Sequence, residues 1–313
     1  MENNMNNKIS IFGQKELYEQ LRKQCLTIKN YQPHIGQGLI KNIYPLMRKY
    51  QIDIQGEENI PKDSNVLFVA NHSNLHDIFT AYEMFAFLGR KGSVMVATDC
   101  LSPITTQIFN ISNATLLDRR VQKERQYSVL NISNKILNGN DGLIFGESTW
   151  NLHPTLLMHN IRNGASKISL ITQVPIIPTI IEYLEKDEMV SSDSQLYDKC
   201  IIRFGKPIII NYVDSLSLQS NIIKNEMANI RKQIWKDYGV SKLKKDIDPF
   251  MYINHTYVKK FKAFGFSYDS EEEQKYLLFL NNETHENEYT INSSGQFIPG
   301  ITEKKFEMRK LLK

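Results

Sequence analysis

Cysteine is scarce: the 313 residues hold three, Cys25, Cys100 and Cys200, far apart and odd in number. Neither a disulfide framework nor a CxxC metal spacing can be built from them, so the expected setting is reducing and cytoplasmic. Long apolar runs are lacking too. No stretch approaches the ~18 residues of a membrane span, and the Asn-rich segment Met1 to Lys8 has no run of the kind a signal peptide needs. A membrane, if met, is met from its surface. Nor is there a large excess of one charge. The 38 Lys and Arg against 34 Asp and Glu leave +4, which suits an anionic lipid surface or a phosphorylated substrate. Unless gathered in one patch, it is too little for nucleic acid, and no nucleic-acid partner is expected. No internal repeat is present. What is there is ordinary for a globular protein, with 41% hydrophobic and 23% charged residues, which excludes a disordered or fibrous chain. The length allows one large domain, or one domain with an appendage.

From about Ile54 to Gly239, short apolar runs alternate with amphipathic stretches, the pattern of an α/β domain. Val66 to Ala70 predicts a buried strand, and a helix should follow with Ile78, Ala81, Tyr82 and Phe85 inward. Ser93 to Ala97 and Thr115 to Leu117 are further strand candidates. Asp118 is expected to cap a basic helix that buries Val129, Ile132 and Ile136 and stops at Gly139. Leu143 to Phe145 begins another strand, and Asn163 to Gln173 reads as a helix with Ala165, Ile168 and Ile171 or Thr172 inward. Val174 to Ile181 is strand-like, but its two prolines restrict it to an edge or to a strand start. Cys200 to Phe204 and Ile208 to Ile210 resemble two strands joined by a turn at Gly205-Lys206-Pro207. A helix over Ser220 to Tyr238, with Ile223, Met227, Ile230 and Trp235 inward, closes the domain.

Ahead of this domain, Lys15 to Lys29 and Leu39 to Tyr50 read as two amphipathic helices, and Pro45 should kink the second or mark its start. Lys23, Lys29, Lys41, Arg48 and Lys49 lie close to Leu17, Leu21, Leu26, Ile43, Leu46 and Met47. Such a pair either packs on the domain or rests a basic, apolar face on lipid, and the two are compatible. After Ser241 the chain mixes charge runs with aromatics such as Phe250, Tyr252, Tyr257, Phe261 and Phe264, which argues for an ordered appendage. The expected division is 1–50, 51–240 and 241–313.

Asn71-His72 directly follows a predicted buried strand, where α/β domains expose functional loops. Four residues separate His72 from Asp77. A carboxylate on the first turn of the next helix can then accept an imidazole N–H, fix the tautomer and make the other ring nitrogen a better base. No serine or cysteine nucleophile motif accompanies the pair, so the chemistry suggested is general-base attack by a substrate hydroxyl. A structural histidine beside a capping aspartate is the competing reading. His72 and His76 stand at i and i+4, so a metal site is a further alternative, although the glutamate of HExxH and a third ligand cluster are missing. His153 and His159 are expected to be structural or lipid-facing.

Four blocks in order give this pair its company: Asn71-His72-Ser73-Asn74-Leu75-His76-Asp77, then Leu117-Asp118-Arg119, then Phe145-Gly146-Glu147-Ser148-Thr149-Trp150, then Val174-Pro175-Ile176-Ile177-Pro178. Together with Gly56 to Pro61 and Phe204-Gly205-Lys206-Pro207, they resemble the glycerolipid (PlsC-like, 1-acylglycerol-3-phosphate) acyltransferase family over residues 54 to 212. The resemblance implies an α/β fold with a mixed sheet flanked by helices. It implies O-acyl transfer to a lysophospholipid-like hydroxyl from acyl-CoA or acyl-carrier protein, with no metal or other cofactor. His72 would be the base, Asp77 its orienting partner, and Arg119 a ligand of the acceptor's phosphate. Asn71, Glu147, Ser148, Thr149 and Arg162 would complete the substrate site, working peripherally at a membrane surface. The third block departs from the family's Phe-Pro-Glu-Gly-Thr-Arg: Gly146 stands for proline, Ser148 for glycine and Trp150 for arginine. Either Arg120, Arg162 or Lys167 restores the missing charge, or the acceptor is a glycolipid or another alcohol without phosphate. Trp150 either stacks on that acceptor or packs in the core. A non-catalytic lipid-binding member of the fold is the remaining alternative.

Overall fold

The computed structural model describes residues 11–29, 34–48, 50–98, 101, 103–119, 121–148, 150–151, 156–185, 197–240, 289–291 and 297–299. Two helices lead, α1 (Ile11–Thr27) and α2 (Ile35–Met47), and then the domain alternates. It runs β1 (Gln51–Gln55), β2 (Leu67–Ala70), α3 (Asp77–Phe87), β3 (Gly92–Ala97), α4 (Pro103–Ile111), β4 (Thr115–Leu117), α5 (Gln122–Leu137) and β5 (Asp141–Phe145). It continues with α6 (Gly164–Thr172), β6 (Ile176–Glu185), β7 (Tyr197–Phe204) and α7 (Leu216–Asp237). Strands β1 to β7 form one sheet in the order β1-β7-β6-β2-β5-β3-β4, in which only the β6/β7 pair is antiparallel. This is the mixed α/β sheet expected. A short antiparallel pair, β8 (Tyr289–Ile291) with β9 (Phe297–Pro299), is all that is described beyond residue 240. No helix among the described residues is long and apolar enough to cross a membrane.

Strand periodicity builds the two layers. Phe68 and Ala70 of β2 face one side of the sheet, packing with Ile40 and Tyr44 of α2, Tyr82 and Phe85 of α3 and Phe109 of α4. Leu67 and Val69 face the other, with Ile132 and Ile136 of α5, Ile168 of α6 and Met227 of α7. Burial on both faces explains why β2 reads as an unbroken apolar run. A fully buried side chain such as Phe68 contributes about 2–3 kcal/mol. Outside this layer, Tyr18 and Cys25 of α1 pack on Leu170 and Ile171 of α6.

The structure sharpens some local expectations and corrects others. Strand β6 is interior, lying between β7 and β2, although Pro178 is within it. The antiparallel ladder with β7 begins at Thr179, and the Pro178 carbonyl accepts from Gly205 N at 2.8 Å, where β7 has already turned away. The N–H that proline lacks therefore faces the end of a ladder and has no strand partner to serve. Ile208 to Ile210 is no strand, because Ile208 makes one isolated bridge to Ile176. Asp118 does not cap α5, whose N-cap is Val121; instead Glu124 in the first turn reaches back to accept from Asp118 N at 2.8 Å. Gln51 to Gln55, to which the sequence assigned no element, is an edge strand parallel to β7. Pro45 lies in the last turn of α2, which starts at Ile35.

Candidate active site

Strands β2, β4 and β5 are all parallel within the sheet, so the segments leaving their C-terminal ends emerge along one edge. That is where open α/β sheets place ligand sites. The topology thus gathers three blocks that are far apart in sequence: Asn71 to Asp77 after β2, Asp118-Arg119 after β4, and Gly146 to Trp150 after β5.

Asn71 is fully buried and fastens the first loop to β6, donating to Ile181 O at 2.9 Å and accepting from Ile181 N at 2.7 Å. The chain then turns so that Asp77, first residue of α3, faces back. One oxygen of Asp77, Oδ2, lies 2.7 Å from His72 Nδ1 and accepts from Ser73 N and Asn74 N at 2.8 Å each. Asp77 is fully buried, and the N-terminus of α3 favours its negative charge. A carboxylate only accepts, so Nδ1 carries the proton and the Nε2 lone pair is free. No hydrogen bond occupies Nε2 among the described residues, and the His72 side chain keeps 13% of its surface exposed. The ring stacks on Phe145 at 4.1 Å between centroids and 17° between planes, with Trp150 at 5.2 Å.

Glu147 fixes the backbone beneath. Its two oxygens accept from His72 N at 3.0 Å and from His159 N at 2.7 Å, tying the first block to the segment after the third. Burial pushes its carboxyl up to about 7, against the opposing pull of the His159 N–H, the Arg231 charge and the His72 N–H. Arg231 is itself buried, paired to Glu182 at 2.6 Å and bonded to Leu157 O at 2.8 Å, while Trp235 Nε1 donates to the other Glu182 oxygen at 2.9 Å.

The departures in the third block have local causes. A Cβ on Gly146 would meet Ile161 Cδ1 and Val69 Cγ1 at 2.8 Å, and its N–H donates to Ala70 O at 2.9 Å. Proline would lack both the room and the donor. Ser148 is left-handed with φ 58°, a conformation glycine adopts freely and serine at a cost of about 1 kcal/mol. Arg119 Nη1 donates to the Ser148 carbonyl at 2.9 Å, which brings the second and third blocks together. Trp150 is buried at 6% exposure and packs beside the His72 ring, so it presents little face to anything outside. Arg162 donates its backbone N–H to Gly146 O at 3.0 Å with its side chain exposed. Thr149, Arg120 and His153 lie outside the described residues.

His159 is buried. The ring of His76 meets Tyr44, Nδ1 to the hydroxyl at 2.7 Å, and among the described residues no three His, Cys, Asp or Glu side chains gather as metal ligands. Several participants left no local signal in the sequence: Tyr44; Arg231, whose charge acts on Glu147; and Asn151, whose N–H donates to His72 O.

Residues 51–182 match the family model described as Acyltransferase. That segment, from β1 into β6, carries all the groups just described except Arg231, Trp235 and Tyr44. That segment, less than half of the chain, is similar to the acyltransferase family. No curated protein matches the chain. Among solved structures it is similar to the crystal structure of the 1-acyl-sn-glycerophosphate (LPA) acyltransferase, PlsC, from Thermotoga maritima, with 19% identity, 78% of this chain and 86% of that chain covered, and a TM-score of 0.41.

Proposed function

We propose that the protein transfers a fatty acyl group from acyl-CoA or acyl-carrier protein to the free hydroxyl of a lysophospholipid-like acceptor of the 1-acylglycerol-3-phosphate type. The observation that carries this reading is the His72–Asp77 contact at 2.7 Å, on an aspartate oxygen that two backbone N–H groups also hold. Nε2 of His72 removes the acceptor's proton as its oxygen attacks the thioester carbonyl. The tetrahedral intermediate then collapses, the C–S bond breaks, and the imidazolium returns its proton to the leaving thiolate. Placing the base is worth ~10²–10⁴ in rate, and the remainder comes from holding two bulky substrates together. Arg119, held at the mouth of the third block by Ser148 O, takes the acceptor's phosphate.

The same reading places the protein at a membrane surface on the cytoplasmic side. Helix α2 exposes Ile35, Leu39, Ile43, Leu46 and Met47 along one face while burying Ile40 and Tyr44, an apolar stripe suited to lipid. The test is mass spectrometry of products from purified protein given acyl-CoA and a panel of lyso-acceptors. Acylated lysophosphatidate, lost in His72→Ala with folding kept, supports it; full turnover by His72→Ala overturns the general-base role.

Trp150 favours a second reading, with a glycolipid or another alcohol without phosphate as the acceptor, because a neutral indole occupies the place of a phosphate-binding arginine. Equal turnover of lysophosphatidate and its dephosphorylated counterpart would support that reading over the first.

A further inference from the structure

The first loop is held from a direction that the four blocks do not account for. His76 immediately precedes Asp77, and its Nδ1 lies 2.7 Å from the hydroxyl of Tyr44 on α2. From there a chain of hydroxyls runs inward: Tyr44 to Tyr50 at 2.8 Å, Tyr50 to Thr80 at 3.2 Å, and Thr80 to Tyr183 at 2.8 Å. Tyr44, Tyr50, Thr80 and Tyr183 are all buried, and the Asp77 charge bears on Tyr183 at the inner end. The chain begins beside Asp77 in sequence and ends at a hydroxyl on which the Asp77 charge acts.

The bond has positional meaning because α2 is itself fixed at both ends. At its start Gly36 lies so close to α4 that an added Cβ would meet Ser112 N at 2.7 Å, and Gln37 donates to Ser112 O at 3.1 Å and to Gly92 O. Just past its end, Arg48 holds both oxygens of Glu83 on α3, at 2.9 and 3.0 Å. Between these anchors the Tyr44 ring stacks on Phe79 at 5.0 Å. A buried hydroxyl pinned on a docked helix can bond His76 in only a narrow range of positions.

We propose that Tyr44 is a positioning residue for acyl transfer, acting through its hydrogen bond to His76 to set where α3 begins and so where Asp77 meets His72. The chemistry thereby depends on a helix outside residues 51–182. This rests on His72 and Asp77 being the working pair.

The experiment uses the full chain with acyl-CoA and lysophosphatidate, comparing Tyr44→Phe, His76→Phe, His76→Asn and the Tyr44→Phe/His76→Phe double variant. Phenylalanine at 44 keeps the ring on Phe79 and removes only the hydroxyl. Tyr44→Phe and His76→Phe should each lower kcat roughly 5- to 30-fold, with KM within about twofold, since a small misplacement of a base is costly. The double variant should fall no further than Tyr44→Phe, which already removes the bond to His76 together with that to Tyr50. His76→Asn, which offers an amide near the place of Nδ1, should recover part of the loss. Wild-type kcat in folded Tyr44→Phe overturns the proposal, as do single effects that multiply in the double variant. If Tyr44→Phe does not fold, the half-buried His76 pair decides: equal kcat in His76→Phe and wild type overturns it. His72→Ala run alongside separates the two readings, since activity there removes the general base, whereas an inactive His72→Ala beside a fully active Tyr44→Phe removes only the role of Tyr44.

Discussion

Replacing Glu147 by glutamine leaves a side chain of the same shape but removes a charge from a place where water cannot reach it. The carboxyl is 2% exposed, and burial raises it from its ordinary 4.5 to about 7. A raised value in the folded chain means the folded state binds the proton more tightly. The contribution to stability is therefore fully present below the unfolded value and is lost as pH rises through the folded one. At about 1.4 kcal/mol for each tenfold change in proton affinity, the whole difference is about 3 kcal/mol. About 2 kcal/mol of it falls between roughly pH 5 and pH 7.5. Glutamine does not titrate, so subtracting the stability of Glu147→Gln from that of the wild type isolates this slope from every other carboxylate. Urea unfolding of both proteins at the two pH values measures it. The expected result is a difference that moves against the wild type by about 2 kcal/mol on going to the higher pH. A difference constant to within about 0.5 kcal/mol would show that Glu147 is not desolvated as its burial implies. Activity carries an independent reading. Two oxygens serve two N–H groups, His72 and His159, whereas an amide has one oxygen and must turn its NH2 toward the other. The variant should lose kcat at all pH values, and unchanged kcat would mean that the clasp does not place His72.

Asp77→Asn should lower kcat about 10²–10³-fold with little change in KM: the amide oxygen takes the place of Oδ2, which Ser73 N and Asn74 N hold, but the charge that steadies an imidazolium is gone. Initial rates of thiol release test this, and more than a tenth of wild-type kcat would refute it. Ser148→Gly should raise stability by up to about 1 kcal/mol by relieving the left-handed residue at φ 58°, read from the urea midpoint at constant slope. Leu46→Glu, at a side chain 85% exposed, should leave folding and turnover of a soluble short-chain acceptor intact. It should weaken sedimentation with anionic vesicles about tenfold, the scale of one buried leucine.

What the sequence disclosed of this site is what chain neighbours decide. His72 and Asp77 are close in the chain and follow a wholly apolar strand, so their meeting follows from a strand ending and a helix beginning. Helix faces followed the same logic: Ala165, Ile168 and Ile171 of α6 are inward as their spacing required. Contacts set by strand order were not legible. Nothing near Glu147 announces that its oxygens take the His72 and His159 N–H groups, because that needs β5 placed beside β2. The prolines allowed an edge or a strand start, and it is the second that holds: β6 is interior, with Pro175 just before it and Pro178 near its start, where the ladder with β7 has not begun. Tyr44 lies on a helix whose pattern balanced packing against lipid. The structure divides it, Ile40 and Tyr44 inward and Leu39, Ile43 and Leu46 outward.

The three departures in the third block are physically unlike one another, and that bears on the acceptor. Gly146 and Ser148 alter the backbone's circumstances without adding or removing charge: the first fills a space closed by Ile161 and Val69, and the second holds a left-handed turn that still offers its carbonyl to Arg119. The path of the loop is therefore served by the residues present. Trp150 differs because it removes a cation. Between charges about 4 Å apart, one such attraction is worth ~1 kcal/mol in water and ~4 kcal/mol at a partly screened site. Unless Arg120, Arg162 or Lys167 supplies the second charge, Arg119 would hold alone a phosphate that two guanidiniums share in the resembled motif. Preference for a phosphorylated over a neutral acceptor should shrink by about 5-fold to several hundredfold, while general-base chemistry at His72 is untouched. An apolar wall beside the imidazole has a compensating effect. Phe145 and Trp150 flank the ring, keep water from it and place an electron-rich face against the imidazolium that forms during transfer. If His72 is the base, as proposed, the substitution trades charge recognition of the acceptor for a drier base, and selection of the hydroxyl should depend more on the acceptor's apolar body than on its headgroup.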